Sequence, residues 1–368
     1  MKRILLIEPD FPIPAKSKNY CNFLPIGLLK IAAFHRKLGD KVTLQRGNYP
    51  ATFYPDEVKI TSLFTYWSKN VWDSVRFYND LYRKAKVQVG GIYATLMPKH
   101  AKQSGCDEVQ KGLYENGRAE EFDPAYDLVD VDYQIIHASR GCFRKCNFCG
   151  TWRIEPDVTY KKSIKGEIRK KKIVFYDNNL IANPHIKDIL SEIAEFKFPD
   201  QSRVHCENQS GVDGRILIKD PEIAFFLKKA RFQHQRIAWD GPYAHWPKIR
   251  EQIQVLRNAG FRVDDIFIFM LFNHELSYEE MRAKLDACRR WRVRVIDCRF
   301  RPLDSTSDNY KPNAKSQDES EYYIHKGWTD RQVRTFRRAV RRQNIALILE
   351  LPNGKYIKGV EKRYIAAR

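Results

Sequence analysis

The chain has 368 residues, with 65 Lys and Arg against 45 Asp and Glu, and therefore a formal charge of +20 at pH 7. Hydrophobic residues make up 43% of it and aromatic residues 13%, which excludes a disordered chain because this much apolar surface supports a packed core. The densest apolar run, residues 266–272, is far shorter than the ~20 residues that a membrane span needs. The first apolar run, residues 4–7, is too short for an export signal. We therefore expect a cytoplasmic protein of roughly two domains.

The first 120 residues alternate between strand and helix patterns. Strands are expected at residues 3–7, 41–44, 58–64 and 87–89, and helices at 25–38, 71–83 and 98–103. Such β-α units form a parallel sheet with helices on its faces. Ligands of these sheets lie at the carboxyl ends of the strands, which is where Ser62, Gly90 and Gly91 fall. The pattern predicts a Rossmann-like domain over residues 1–120.

A second β-α series follows the acidic, proline-containing stretch 121–135, which is the predicted linker. Strands are expected at 134–138, 173–176, 203–206, 235–239, 265–271 and 293–298, and helices at 184–196, 221–229, 249–259 and 278–291. Ser277 and Glu280 form a capping box before the last helix. Six strands with intervening helices indicate a partial (β/α)6 barrel over residues 136–303. Residues 304–368 are expected to form a loop, a basic helix (329–343) and a closing strand (346–351).

Three of the eight cysteines, Cys142, Cys146 and Cys149, crowd into eight residues directly after a predicted strand. A cytosolic chain of this size does not keep disulfides, and three thiolates on one loop can hold three irons of a cubane cluster. One iron then stays open, which is typical of chemistry rather than of a closed structural site. The alternative is a zinc site that uses Cys146 and Cys149 as one half. The other cysteines supply no second pair, since Cys206, Cys288 and Cys298 are single and dispersed.

The CxxxCxxC spacing, with aromatic Phe148 before the third cysteine, resembles the radical SAM superfamily. The resemblance implies a [4Fe-4S] cluster held by Cys142, Cys146 and Cys149, and S-adenosylmethionine as cosubstrate. A reductant protein such as a flavodoxin or ferredoxin would supply the electron that cleaves S-adenosylmethionine. The resulting 5′-deoxyadenosyl radical would take hydrogen from an unactivated carbon of the substrate, while the protein orients the cofactor and excludes water.

Further site residues follow from the same resemblance. The family's second barrel strand ends in an acidic motif that binds the methionine amino group. The usual Gly-Gly-Glu is absent here, so Asp177 and Asn178, after Tyr176, would supply the acceptors. An ordinary turn of Asx residues explains them equally well. The resemblance also implies cofactor contacts from Phe148, Tyr176, Glu207 and Asp240. Cys298, at the end of the sixth strand, would return a hydrogen atom to the substrate radical. The alternative for Cys298 is a buried, inert thiol.

The amino-terminal unit, residues 3–112, is similar to the cobalamin-binding domains of B12-type radical SAM enzymes. The supporting segments are residues 25–28, 39–42 and 89–92, with Pro98. The resemblance implies that Ser62, Gly90 and Gly91 contact cobalamin or another ligand. The Asp-x-His-x-x-Gly motif that gives a histidine to cobalt is missing, so a cofactor-free domain is the alternative. Methyl transfer is implied if cobalamin binds; epimerisation, rearrangement or crosslinking of a small molecule or peptide is implied if it does not.

Two basic segments, residues 161–172 and 331–342, carry much of the excess charge. They fit phosphate contacts, so a nucleic-acid substrate is possible. The rival class of protein is a basic nucleic-acid-binding module with a structural metal. Solvated helix faces also account for such segments.

Overall fold

A computed structural model describes residues 1–13 and 24–350, and Cys21 lies outside the described residues. The chain divides into two compact units. Unit 1 comprises Met1–Ser210 and Arg301–Tyr323, and unit 2 comprises Gly211–Phe300 and Ile324–Arg368. Across the described part of the chain, no helix combines the length and the apolar character that a membrane crossing requires.

The described residues of unit 1 form ten strands and six α-helices. Its strands are β1 (Arg3–Glu8), β2 (Lys41–Arg46), β3 (Glu57–Ser62), β4 (Lys86–Gly91), β5 (Glu108–Val109), β6 (Tyr133–Ile136), β7 (Ser139–Arg140), β8 (Thr159–Tyr160), β9 (Lys172–Phe175) and β10 (His205–Asn208). Its helices are α1 (Ile26–Lys37), α2 (Ser68–Leu81), α3 (Ile92–Leu96), α4 (Pro98–Lys102), α5 (Thr151–Ile154) and α6 (Ile186–Glu195).

The first sheet has the strand order β2-β1-β3-β4-β5, and its pairs are parallel. Alternate residues of β1 face opposite sides: Leu5 and Ile7 pack with α2, whereas Ile4 and Leu6 pack with α1. Both faces are therefore covered, as a parallel sheet requires. The strand order reverses between β1 and β3, because β2 lies on one side of β1 and the later strands lie on the other. The crevice outside such a switch point is the usual ligand site. The predicted parallel α/β domain is confirmed.

The second strand group of unit 1 places β9 between β6 and β10. Tyr133 and His205 both align with Lys172, and the three strands are parallel. Their carboxyl ends, near residues 136, 175 and 208, therefore meet at one edge. The short strands β7 and β8 form an antiparallel pair after β6.

In unit 2, the part of the chain up to residue 350 forms four strands and five α-helices. They are α7 (Gly214–Lys219), α8 (Glu222–Lys229), β11 (Phe232–Gln233), β12 (Gln235–Ala238), α9 (Trp246–Asn258), β13 (Ile266–Phe272), α10 (Tyr278–Arg290), β14 (Arg294–Arg299) and α11 (Asp330–Leu349). Strands β12, β13 and β14 form a parallel sheet in that order. The Ser277 side chain accepts from the Glu280 backbone N–H, so the predicted helix start is confirmed. The six long strands predicted for residues 136–303 are present, three in each unit, and their closure into one barrel stays a prediction, as do the domain ranges.

The predicted closing strand is wrong, because α11 runs through residues 346–349. A short apolar run does not distinguish a strand from a buried helix segment. Tertiary structure decides here: the Asn344 side chain donates to Val295 O at 2.7 Å and accepts from Val295 N at 2.9 Å. A helix side chain thus takes the hydrogen bonds that a further strand would have made.

Candidate active site

The cysteines lie on a loop closed at its base by the β7–β8 pair. Gly141, the first loop residue, has a φ of 73°, and a Cβ there would overlap the carbonyl oxygen of Asp157. Only glycine meets both conditions without strain. Glu155 then fixes the loop from the other side, because its carboxylate accepts from Arg140 at 2.6 Å and from the Gly141 N–H at 2.7 Å. We call residues 141–155 the cysteine loop.

Asp177 anchors the start of this loop. It is fully buried, and it accepts hydrogen bonds from the Ala138 N–H at 3.1 Å and from the Ser139 N–H and O–H at 2.5 and 2.7 Å. Burial raises the pKa of Asp177 to about 6 even though these hydrogen bonds oppose the shift. The structure therefore shows Asp177 joining the end of β9 to the β6–β7 segment; a contact with the cofactor stays a prediction.

The three loop cysteines are half-buried and form no disulfide. The Arg144 N–H donates to Cys142 Sγ at 3.4 Å, and Trp152 Nε1 donates to the Cys146 carbonyl at 3.1 Å. Cys149 Sγ lies 3.3 Å from Thr151 Oγ1. A donor to sulfur, such as the Arg144 N–H, tunes the potential of an iron–sulfur cluster.

Thr151 connects the cysteine loop with the end of β9. Its hydroxyl donates to Asn178 Oδ1 at 3.1 Å, so Asn178 is linked to Cys149 through one side chain. Within residues 1–13 and 24–350, no group of three or more His, Cys, Asp and Glu side chains is arranged to hold one metal ion. The thiolates of a cubane cluster each bind a different iron, so a cluster does not require a site for a single ion.

A cavity of about 380 Å³ lies between the ends of the two strand groups of unit 1. Its lining includes Glu8, Ser62, Gly90 and Gly91 from the first sheet, and His137, Arg140, Ile154, Tyr176 and Asn178 from the second group and the cysteine loop. The structure therefore brings five predicted site residues together: Ser62, Gly90, Gly91, Tyr176 and Asn178. The volume suits a small ligand.

Two buried polar groups face this cavity with no hydrogen bond from the described residues. His137 is 8% exposed and stands edge-on to the Tyr176 ring, with 6.5 Å between centroids. The Tyr176 hydroxyl is buried without a partner. Burial, with Arg140, Lys30 and Lys161 nearby, holds the pKa of His137 well below its usual value, so the imidazole is neutral. Unsatisfied buried groups are costly, and a bound ligand could satisfy them.

The first-sheet residues of the cavity are engaged by their own backbone. The Ser62 hydroxyl donates to Gly90 O at 2.7 Å and accepts from the Ala94 N–H at 3.1 Å. Gly91 has a φ of 99° and lies so close to Ser62 that a Cβ would overlap its carbonyl oxygen. These residues shape the cavity wall; their contact with a ligand stays a prediction.

The polar cavity residues that sequence reasoning missed include His137, Lys30 and Glu120. Lys30 on α1 is buried and forms an ion pair with Glu120. The two residues lie 90 positions apart in the chain, so no local motif connects them. His137 follows an apolar strand, where a histidine carries no signal of its own.

The four remaining predicted residues lie on four different segments of the chain. Phe148 is half-buried in the cysteine loop, and Glu207 is half-buried in β10. In unit 2, Asp240 follows β12, and burial raises its pKa while Lys284 and Arg215 oppose the shift. Cys298 is half-buried near the carboxyl end of β14. Their roles at the cofactor stay predictions.

Ion pairs neutralise part of both basic segments. In the first, Lys161 binds Glu167, Arg169 binds Asp123, and Lys171 and Lys172 bind Asp200 and Asp132. In α11, Arg334 binds Asp330 and Arg337 binds Asp297. Exposed arginines remain on α11 at positions 331, 338, 341 and 342. Nucleic-acid binding stays a prediction.

Comparison with known proteins gives no family. No protein-family model matches the chain, and no curated protein matches it. Among solved structures, it is similar to the carboxyl transferase domain from Rhizobium etli pyruvate carboxylase with pyruvate, at 13% identity over 94% of this chain and 49% of that chain, with a TM-score of 0.24. Rhizobium etli pyruvate carboxylase with acetyl coenzyme-A gives 13% identity over 94% and 29%, with a TM-score of 0.21. The chain thus spans half or less of the length of these proteins, and similarity at these TM-scores does not establish a shared fold.

Proposed function

We propose that this protein is a radical SAM enzyme that modifies an unactivated carbon of a small molecule or peptide. The observation that carries the proposal is the CxxxCxxC loop, which follows the parallel strand β6 by way of the short strand β7 and adjoins a ligand-sized cavity in the same unit. Catalytic loops lie at this end of β/α units, and three thiols outside disulfides are a suitable donor set for a cluster.

The three cysteines and the two residues after β9 would then have distinct roles. Cys142, Cys146 and Cys149 would hold a [4Fe-4S] cluster, which supplies the electron that cleaves S-adenosylmethionine into methionine and a carbon radical. Asp177 fixes the loop through the backbone of residues 138 and 139. Asn178 holds Thr151 beside Cys149. Half-burial of the thiols limits the access of water without closing the site.

The cavity supports a small substrate. Apolar residues form much of its wall, among them Ile26, Ile31, Ile60, Ile92 and Ile154. His137 and the Tyr176 hydroxyl add hydrogen-bonding groups without charge. Such a site takes a partly apolar molecule, or one side chain of a peptide, that carries a hydroxyl, carbonyl or amide group. A folded nucleic acid could enter only with an extruded base.

The volume of the described cavity favours a ligand smaller than cobalamin. A corrinoid with its nucleotide tail is larger than the drug-sized ligands that occupy roughly 300–1,000 Å³, and the cavity lies at the lower end of that range. The residues at the first-sheet edge are held by their own hydrogen bonds. Methyl transfer, which requires bound cobalamin, stays a prediction. The absorption spectrum of the corrinoid-reconstituted protein tests it.

The test is anaerobic reconstitution followed by reduction with dithionite in the presence of S-adenosylmethionine. We expect about four irons and four sulfides per chain and the formation of 5′-deoxyadenosine. Cys142→Ala, Cys146→Ala and Cys149→Ala should each abolish 5′-deoxyadenosine. Cys106→Ala, which alters a buried cysteine outside the loop, should retain it. Zinc as the bound metal, with no 5′-deoxyadenosine, would overturn the proposal in favour of a nucleic-acid-binding module.

A further inference from the structure

The outer surface of the cysteine loop is basic and aromatic. Phe143 is 47% exposed, and the Arg144 guanidinium lies over its ring at 4.5 Å from the centroid. Arg153 lies over the Trp152 ring at 4.9 Å. Lys145, between two of the cysteines, is exposed. We call Phe143, Arg144, Lys145, Trp152 and Arg153 the loop face.

One hydrogen bond joins the two ends of this face. Trp152 Nε1 donates to the Cys146 carbonyl at 3.1 Å, so α5 lies against the backbone that follows Lys145. Arg153 on α5 and Lys145 are thereby held on the same loop as the cysteines. The positive electrostatic potential of the loop face therefore lies close to the three thiols.

The positive charge of the loop face is not balanced locally. Residues 140–165 contain seven basic and two acidic residues. One of the acidic residues, Glu155, is already bound to Arg140 and the Gly141 N–H. Lys145 and Arg153 have no ion-pair partner among the described residues. Unlike much of the basic segment that follows, these two side chains keep their full charge for an external partner.

Resting on the proposed function, we infer that the loop face is the docking site of an acidic electron-transfer protein. Exposed aromatic residues and arginine are enriched at protein interfaces, and opposite charge, to which Lys145 adds, steers transient redox encounters that bury little area. A donor seated here would be separated from the thiols only by the loop itself. One electron leaves the donor, which is oxidised, and reduces the iron–sulfur cluster; no atom is transferred.

Single-stranded RNA fits this face less well. Nucleic acids of this kind bind by stacking bases on open aromatic faces. Arginine side chains already cover one face each of Phe143 and Trp152. The face therefore offers charge with little open ring surface, which suits a carboxylate-rich protein surface.

The test compares two double charge reversals of equal net charge. Lys145→Glu with Arg153→Glu alters the loop face, and Arg83→Glu with Lys84→Glu alters exposed residues after α2. Each is titrated, with and without cluster, with an acidic flavodoxin at low and high salt, and 5′-deoxyadenosine is measured with flavodoxin or with dithionite as reductant. We expect the loop-face variant to lose about tenfold or more in flavodoxin affinity at low salt, with a smaller loss when salt screens the charges. The control should stay within about twofold.

Four outcomes separate the explanations. A loss of flavodoxin affinity and flavodoxin-driven 5′-deoxyadenosine, with the dithionite-driven reaction unchanged, supports the docking site. Equal flavodoxin affinity of the two variants overturns it, whatever the reaction yields. Selective loss of binding to a single-stranded RNA, with flavodoxin affinity unchanged, also overturns it. Absence of 5′-deoxyadenosine from the wild-type protein with dithionite overturns the proposed function instead, while flavodoxin affinity still decides the docking site.

Discussion

The two walls of the cavity in unit 1 use their strand ends differently. At the first-sheet wall, the Ser62 hydroxyl bonds to the backbone of Gly90 and of Ala94 in α3, and Gly91 lies in close contact with Ser62. Beside the second wall, the Asp177 carboxylate accepts hydrogen bonds from the backbone N–H groups of residues 138 and 139. The three thiols of the cysteine loop stay half-exposed. The difference teaches that position at a strand end does not by itself make a residue a ligand. A ligand residue must also have its polar atoms available.

Gly91→Ala should have the largest effect on stability. The φ of 99° and the carbonyl of Ser62 leave no room for a Cβ, so we expect the free energy of unfolding to fall by about 3 kcal/mol or more. Urea denaturation measures it. Gly27→Ala is the control, because nothing lies within 4 Å of the added Cβ in α1 and alanine favours a helix by roughly 0.5–1 kcal/mol. Equal effects of the two substitutions would show that the first-sheet wall is not tightly packed.

Asp177→Asn should reveal a pH dependence in the second wall. The folded pKa of about 6 exceeds the unfolded value of about 3.9, so the folded chain holds an extra proton between the two. The stability gained from this group is therefore present below about pH 4 and is lost as the pH rises through about 6.

Urea denaturation of both proteins at about pH 4 and about pH 7 measures the effect. The stability of the wild type relative to Asp177→Asn should fall over this interval by up to about 3 kcal/mol. A difference that does not change with pH would mean that the anchor of the cysteine loop is not a buried titrating carboxyl group.

Ser62→Ala should have the smallest effect of the three substitutions. It leaves the buried Gly90 carbonyl and Ala94 N–H without this partner, which costs about 1–2 kcal/mol. Ser305→Ala removes an exposed hydrogen bond in the same unit and should cost less than about 0.5 kcal/mol. If Ser62→Ala is as mild as Ser305→Ala, the Ser62 hydroxyl is not needed by the sheet and is available to a ligand.

The sequence by itself determined the local features of this protein. Periodicity predicted four of the five strands of the first sheet, because alternation and 3.6-residue spacing are properties of neighbouring residues. The fifth, β5, has only two residues and is too short to show a period. The CxxxCxxC spacing and the strand before it located the cysteine loop. The same local reasoning failed at residues 346–349, where the outcome depends on Val295, about 50 positions away.

Only the tertiary structure decided which strand-end residues have polar atoms available. Asp177 and Ser62 read like ligands in the sequence, yet both are bound to backbone groups 28 to 39 positions away. His137 and the Lys30–Glu120 pair carry no sequence signal, and the fold places all three at the cavity. The physical reason is that hydrogen-bond satisfaction and burial depend on residues distant in the chain, whereas spacing and periodicity depend only on neighbours.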